Sequence, residues 1–314
     1  MPGFKTHSIF GKIIADKLNS NSISKRIGAH ETVFQMGNQG PDFLFYYVPA
    51  HIMIHDNPGD VMHTSRIDEM FEALLKLRSR FSGYDLDIVD SYIAGFFGHY
   101  LLDSKLHPYI YYRTNHMKHL GETTYDFGNH SMLETDIDQY ACRHYMHIDA
   151  IDYRPWEKIR MSPRERIVIS SLMHEAIKIV FPHFYCTKHS VRRAMYFMML
   201  EQRLMYDRTG CKKNIIRMID EVTVNHTFLS ALVPYSNRRA FFPDPCNQKR
   251  RTWSNPWKEG TKQRASVYDL IYVAASEYMA VLEAYNNFIT NKTTDYNSVL
   301  KKLGNRSYLT GLEN

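Results

Sequence analysis

The sequence predicts an all-α fold, a single multi-helix domain over residues 1–314. Three observations predict it. Apolar residues recur at helical intervals over most of the chain. No stretch alternates apolar and polar residues between hairpin turns. And polar residues able to chelate a metal recur every four positions, His99, Asp103 and His107 first, then His130 and Glu134. Only a helix gathers such spacing onto one face.

The helices are expected in the following order. Residues 7–18 form a short amphipathic helix ended by Asn19-Ser20-Asn21-Ser22. Residues 64–81 form a second, with Thr64 and Ser65 as caps, Asp68 and Glu69 early, and Lys76, Arg78 and Arg80 late, which suits the macrodipole. Residues 85–106 form a long apolar helix, where Ala94, Gly95 and Gly98 let a neighbour approach closely. Pro108 disfavours the α conformation at His107, so this helix is expected to stop there. Helices over 130–147, 162–180, 188–207, 211–223 and 266–290 complete the set. Residues 36–63, 107–129 and 233–264 are expected to be irregular. The last of these is rich in proline and aromatics, from Pro243-Asp244-Pro245 to Trp253-Ser254-Asn255-Pro256-Trp257.

Composition narrows the function. The chain carries 13 Lys and Arg against 18 Asp and Glu in residues 1–150, and 26 against 15 in the remainder. Twelve of the 16 His also fall in residues 1–150. An acidic, His-rich half suits divalent cations. The net charge of +6 has its excess in the C-terminal half and is no nucleic-acid footprint. No apolar run reaches the ~18–20 residues of a membrane span. The N-terminus lacks a basic region followed by an apolar one, which points away from secretion and towards the cytoplasm. Cys142, Cys186, Cys211 and Cys246 show no C-x-x-C pairing and read as reduced thiols.

His99/Asp103 and His130/Glu134 are the strongest metal-ligand candidates. The ordinary alternative for each is an i,i+4 polar pair on a solvated helix face. Around His99 that alternative is weak, because Tyr92-Ile93-Ala94-Gly95-Phe96-Phe97-Gly98 is too apolar to face water. A buried His or Asp is costly unless paired or metal-bound. Asp42, in Gly40-Pro41-Asp42-Phe43-Leu44-Phe45-Tyr46, sits at the edge of an aromatic run as a ligand or as a helix cap, and one carboxylate can serve as both. His63 precedes the 64–81 helix, and His7 lies on the first.

In order, His7, Asp42, His63, His99-x3-Asp103, His107 and His130-x3-Glu134 resemble the ligand set of the zinc-dependent phospholipase C family, whose all-helical fold is shared with P1-type nucleases. The wording Gln39-Gly40-Pro41-Asp42-Phe43-Leu44-Phe45-Tyr46 and Gly98-His99-Tyr100-Leu101-Leu102-Asp103 is similar to an intracellular branch of that family. The resemblance implies two or three Zn2+ ions. One would be held by Asp42, His63, His99 and Asp103, a second by His107, His130 and Glu134, and a third by His7 with Asp103 as a bridge. It implies metal-assisted hydrolysis of a phosphoester, phospholipid included, with Asp42 accepting a proton from the attacking water.

Two features depart from the secreted enzymes of the family. Those enzymes use a processed N-terminal residue at the third zinc, and their gap between the residues matching Asp103 and His107 is longer. His116 and His119 therefore stand in reserve for His107. Tyr109-Ile110-Tyr111-Tyr112-Arg113 could line a pocket or pack the core, and Arg113 could meet a phosphate. His144, His147 and the His174-Glu175 pair read as surface or core polar groups. The competing functions are a P1-like nuclease, which the acidic half disfavours, and a non-catalytic metal-binding protein that keeps the fold.

Overall fold

The computed structural model describes residues 3–46, 58–115, 124–234, 240–291 and 295–314. Among these, the regular elements are helical, apart from two isolated bridges, Trp253 with Gln263 and Arg306 with Glu313. The helices are α1 (Phe4–Lys17), α2 (Ser22–Ala29), α3 (Glu31–Gly37), α4 (Pro58–Thr64), α5 (Ile67–Leu77), α6 (Gly83–Thr114), α7 (Thr124–Ala141), α8 (Pro155–Lys158), α9 (Pro163–Val180), α10 (Lys188–Leu204), α11 (Cys211–Thr223), α12 (Val267–Thr290) and α13 (Asn297–Leu303). A 3-10 segment, Gly40–Tyr46, follows α3, and a π turn, Cys142–Met146, closes α7.

The centre of the molecule is α6. Its 32 residues reach about 48 Å at 1.5 Å per residue. Every residue from Ile88 to Ser104 is buried, so α6 has no solvated face there and must be covered on all sides. The covering helices are α1, α2, α3, α9 and α12, with α7 alongside its C-terminal part. One apolar cluster runs through them from Phe10 to Tyr308. The crossing of α3 with α6 is the tightest. A Cβ on Gly37 would fall 2.3 Å from the Tyr92 carbonyl oxygen, and one on Gly95 would fall 2.2 Å from that of Phe34. The small residues expected to admit a neighbour do so. Despite its length, α6 is too polar for a membrane, and among the described residues no helix is long and apolar enough to cross one.

Several expected boundaries are corrected. Helix α6 does not stop at His107 but continues through Pro108 to Thr114. Proline inside a helix costs about 3 kcal/mol by losing one hydrogen bond and crowding the preceding turn. The next turn offsets this by burying Tyr109 and Ile110 completely and by donating the Tyr109 hydroxyl to the Pro245 carbonyl at 2.7 Å. Region 36–63 is less irregular than expected, since the 3-10 segment and α4 lie within it. Region 107–129 is entered by α6 and by the start of α7. The segment over 64–81 starts later, because Thr64 ends α4 and the cap of α5 is Arg66, in the left-handed conformation at φ 55° with no side-chain cap. Asn19-Ser20-Asn21-Ser22 ends α1 but also starts α2, through a capping box between Asn21 and Ser24. The irregular stretch 233–264 is free of helix among its described residues.

Candidate metal centre

Five elements deliver the eight predicted ligands to one end of the α6 core. Helix α1 brings His7, the 3-10 segment Asp42, α4 His63, α6 the stripe His99, Asp103 and His107, and α7 the pair His130 and Glu134. All eight are buried, with none more than 8 % exposed. The spacing of four is realised as predicted, but the chemistry comes from helices far apart in sequence.

Asp103 is the hub. Its Oδ1 lies 3.0 Å from His7 Nε2, and its Oδ2 lies 3.1 Å from His99 Nε2 and 3.7 Å from His63 Nε2. Asp42 Oδ1 lies 3.2 Å from His63 Nε2 and 3.6 Å from His99 Nε2. The His7 and His99 rings stack at 4.4 Å. Ligand atoms converge in three sets: His7 with His99 and Asp103, Asp42 with His63 and His99, and His107 with His130 and Glu134. His99 belongs to two of them. Its Nδ1 already faces the Asn38 carbonyl at 3.2 Å, so one ring nitrogen remains to be shared.

The backbone fixes which nitrogen each ring presents. His63 Nδ1 meets the Gly59 carbonyl at 2.6 Å, and His107 Nδ1 meets the Tyr308 carbonyl at 2.9 Å. With Nδ1–H donating to a carbonyl, Nε2 is left bare and points inwards, the tautomer a metal-ligating imidazole needs. Gly40 makes room for this at His99. Its φ is 51°, and a Cβ there would sit 2.1 Å from the His99 ring. Helix α1 is fastened by Asp138 on α7, whose carboxylate accepts from Lys5 N at 3.1 Å and Thr6 N at 2.7 Å. That capping holds His7 next to Asp103.

The donor set fits zinc. It consists of imidazole nitrogens and carboxylate oxygens, the ligand types zinc takes alongside thiolate. The inward atoms of His7, Asp42, His63, His99, Asp103 and His107 are buried and make no hydrogen bond, although they lie close to one another. Burying one such atom unsatisfied costs about 1–3 kcal/mol. A cluster of them at one point is the arrangement a bound cation relieves.

Electrostatics differ across the centre. Burial opposes the charge of Asp103, but the imidazoles of His99, His107 and His7 outweigh it and hold the carboxyl well below the usual range. His99 is pushed up against the pull of burial by the carboxylates of Asp103 and Asp42. Burial lowers His7, helped by His99, and pushes His107 well down. Glu134 goes the other way, raised well above the usual range by burial.

Other expectations fall differently. Arg113 does not face the centre. Its guanidinium donates to the Tyr109 hydroxyl at 3.1 Å and to the carbonyls of Asp244 and Pro243 at 3.2 and 2.9 Å, so it staples the proline-rich loop and is not placed for phosphate. Tyr109 packs the core against Trp253, while Tyr111 edges His130 at 4.9 Å. His144 stacks on Tyr268 at 4.2 Å, and His174 pairs with Glu175 at 3.3 Å. His51, His55, His116 and His119 lie outside the described residues.

Sequence reasoning missed two supports of the centre. Tyr308 accepts from His107, donates its backbone N–H to the His63 carbonyl at 3.1 Å, and packs its ring on His63 and His99. No local spacing announces it, because it is brought in from the far end of the chain. Asp138 did carry a signal. It continues the stripe His130, Glu134 by another four residues.

A family model described as zinc dependent phospholipase C matches residues 6–188, which include all eight candidate ligands. No curated protein and no solved structure matched the chain.

Proposed function

The chain belongs to the zinc-dependent phospholipase C family, and from that premise we propose that it is a zinc-dependent phosphoric ester hydrolase acting on phosphodiesters. The observation that carries the proposal is the convergence of eight buried ligand side chains in three sets, two of which share His99 beside Asp103. Zinc held there would polarise the phosphoryl group as a Lewis acid and lower the pKa of a water towards ~7.

The chain's own residues supply the rest. Asp42, His63 and His99 form one holding set, and His107, His130 and Glu134 form another. Asp103, with one oxygen facing His7 and the other facing His99 and His63, takes the bridging position. We assign Asp42 two tasks. Its Oδ1 faces His63 and His99 as a ligand, and its carboxylate accepts the proton of the attacking water. The backbone carbonyls of Gly59, Asn38 and Tyr308 keep the imidazoles in the ligating tautomer.

The test combines elemental analysis of the protein refolded or dialysed with zinc and a panel of soluble phosphodiesters. Two or more zinc ions per chain with turnover supports the proposal. A fully loaded protein that hydrolyses no phosphodiester or phosphomonoester leaves a metal-binding protein that retains the fold.

A further inference from the structure

Helix α11 is amphipathic in the reverse sense. Its two buried residues are charged. Lys213 is 9 % and Asp220 1 % exposed. Lys213 Nζ donates to the Ser230 and Val233 carbonyls at 2.8 and 2.5 Å. Asp220 accepts the backbone N–H groups of Phe228, Leu229 and Ser230 at 2.8–3.1 Å. These bonds fold the 3-10 turn Leu229–Leu232 onto the helix. The outward residues are apolar. Ile215 is 59 %, Met218 63 %, Ile219 51 % and Val222 88 % exposed, at positions i, i+3, i+4 and i+7 of one stripe. This stripe has no part in holding α11 to the protein, and a patch of aligned, open aliphatic side chains marks an interaction surface.

Charge around the stripe selects its partner. Arg203 and Arg208, on the chain leading into α11, and Arg217 on α11 itself are exposed, and Lys212 is half-buried. Over residues 203–222 the single exposed carboxylate is Glu221, which is 3.6 Å from Arg217. Asp207 and Asp220 are turned inwards onto backbone N–H groups. An apolar stripe in a cationic rim complements a surface that is apolar below and anionic above. Position adds to this. Helix α10, which ends at Leu204, packs on the 3-10 segment that carries Asp42, and the turn Leu229–Leu232 packs on α7, which carries His130 and Glu134.

We propose that the outer face of α11, with Arg203 and Arg208, docks the protein on an anionic phospholipid bilayer beside the metal centre. The aliphatic side chains enter the acyl boundary and the arginines meet lipid phosphates. That docking presents lipid phosphodiesters to the centre is the part that rests on the function proposed above.

Co-sedimentation of the zinc-loaded full chain tests it, with vesicles of phosphatidylcholine alone and of phosphatidylcholine with one-third phosphatidylserine. Wild type is expected to partition onto the anionic vesicles about 10-fold or more above the neutral ones. The variant Ile215→Ser/Met218→Ser/Val222→Ser is expected to lose about 10-fold or more of that partition. Arg203→Gln/Arg208→Gln loses the preference for anionic lipid. Both keep the wild-type melting temperature and wild-type turnover of a soluble phosphodiester. Wild type that ignores anionic vesicles overturns the proposal, as does a triple-Ser variant that binds them unchanged. Self-association abolished by the triple-Ser variant, without vesicle binding, overturns it in favour of a second copy of the chain. Vesicle binding without turnover of any phosphoester removes the hydrolase reading and leaves the docking surface standing.

Discussion

Asp103 on α6 and Glu134 on α7 occupy the same place in the same motif, four residues after a histidine, yet the fold shifts their carboxyl groups in opposite directions. Asp103 sits among the imidazoles of His7, His63 and His99, at 3.0–3.7 Å, and the imidazoles of His99, His107 and His7 hold its carboxyl well below the usual range despite complete burial. Glu134 faces His130 at 2.9 Å, and burial dominates, raising its carboxyl well above the usual range. The difference is one of tertiary neighbours. Three helices and a 3-10 segment converge on Asp103, while the Glu134 set draws on α6 and α7 alone. Cation binding is therefore expected to displace more protons at the Glu134 set than at Asp103.

The comparison breaks most readily at Asp103 itself. Asp103→Ala removes the hub of two ligand sets and leaves buried imidazoles without their carboxylate. Hydrolysis should vanish, zinc content should fall by at least one ion, and stability should drop by about 3–5 kcal/mol, read by elemental analysis and thermal denaturation. Unchanged metal content and melting temperature would reduce Asp103 to an ordinary polar pair. Next in size is Asp42→Asn. The amide still offers an oxygen to the ion but accepts no proton, so turnover should fall ~10²–10⁴-fold while metal content holds. Wild-type turnover in that variant would move the general base elsewhere.

Glu134 sharpens the contrast through pH. Its folded-state pKa is raised, so in the metal-free protein the folded state binds the extra proton. The stability this contributes is complete below the unfolded value and is lost as pH rises through the folded one. Asp103 is lowered, so its contribution is present above the unfolded value and lost as pH falls. Metal-free Glu134→Gln should accordingly gain melting temperature over wild type as pH rises, and lose it once zinc is added. Zinc uptake by wild type should release a proton that the variant does not release, measured by titration calorimetry in buffers of different ionisation enthalpy. Equal proton release would show that the Glu134 carboxyl is not raised.

The smallest expected effect lies behind the cluster. Asp138→Ala removes the cap that holds α1 and costs about 0.5–2 kcal/mol. It should weaken zinc binding modestly, by loosening His7, and leave the His107, His130 and Glu134 set intact. Loss of all zinc in this variant would show that the sets do not load separately.

Much of this was legible in the sequence. The helical class followed from periodicity, and spacing alone singled out His99, Asp103, His107, His130 and Glu134, because a repeat of four has one meaning on a helix; His7, Asp42 and His63 joined them as ligands through the family resemblance. The reading failed where distant partners decide. Proline at 108 is a local stop signal, and the burial of Tyr109 and Ile110 overrides it. Arg113 has the chemistry of a phosphate ligand, and the carbonyls of Pro243 and Asp244, far along the chain, claim it first. Asp138 was within reach, one further step along the His130–Glu134 stripe, whereas Tyr308 gave no local sign at all.

By itself the sequence determined that this is a helical protein and which side chains have donor atoms that a metal could use, since helix geometry and side-chain donor type are local properties. The tertiary structure alone decided that Asp103 would be the shared hub, that burial would raise the Glu134 carboxyl, that Tyr308 would orient His107, and that the apolar face of α11 would be turned outwards. Each of these depends on which charges, carbonyls and apolar surfaces are brought within a few ångströms across the fold, and Coulomb interaction and desolvation act over distance in space, with no regard for distance along the chain.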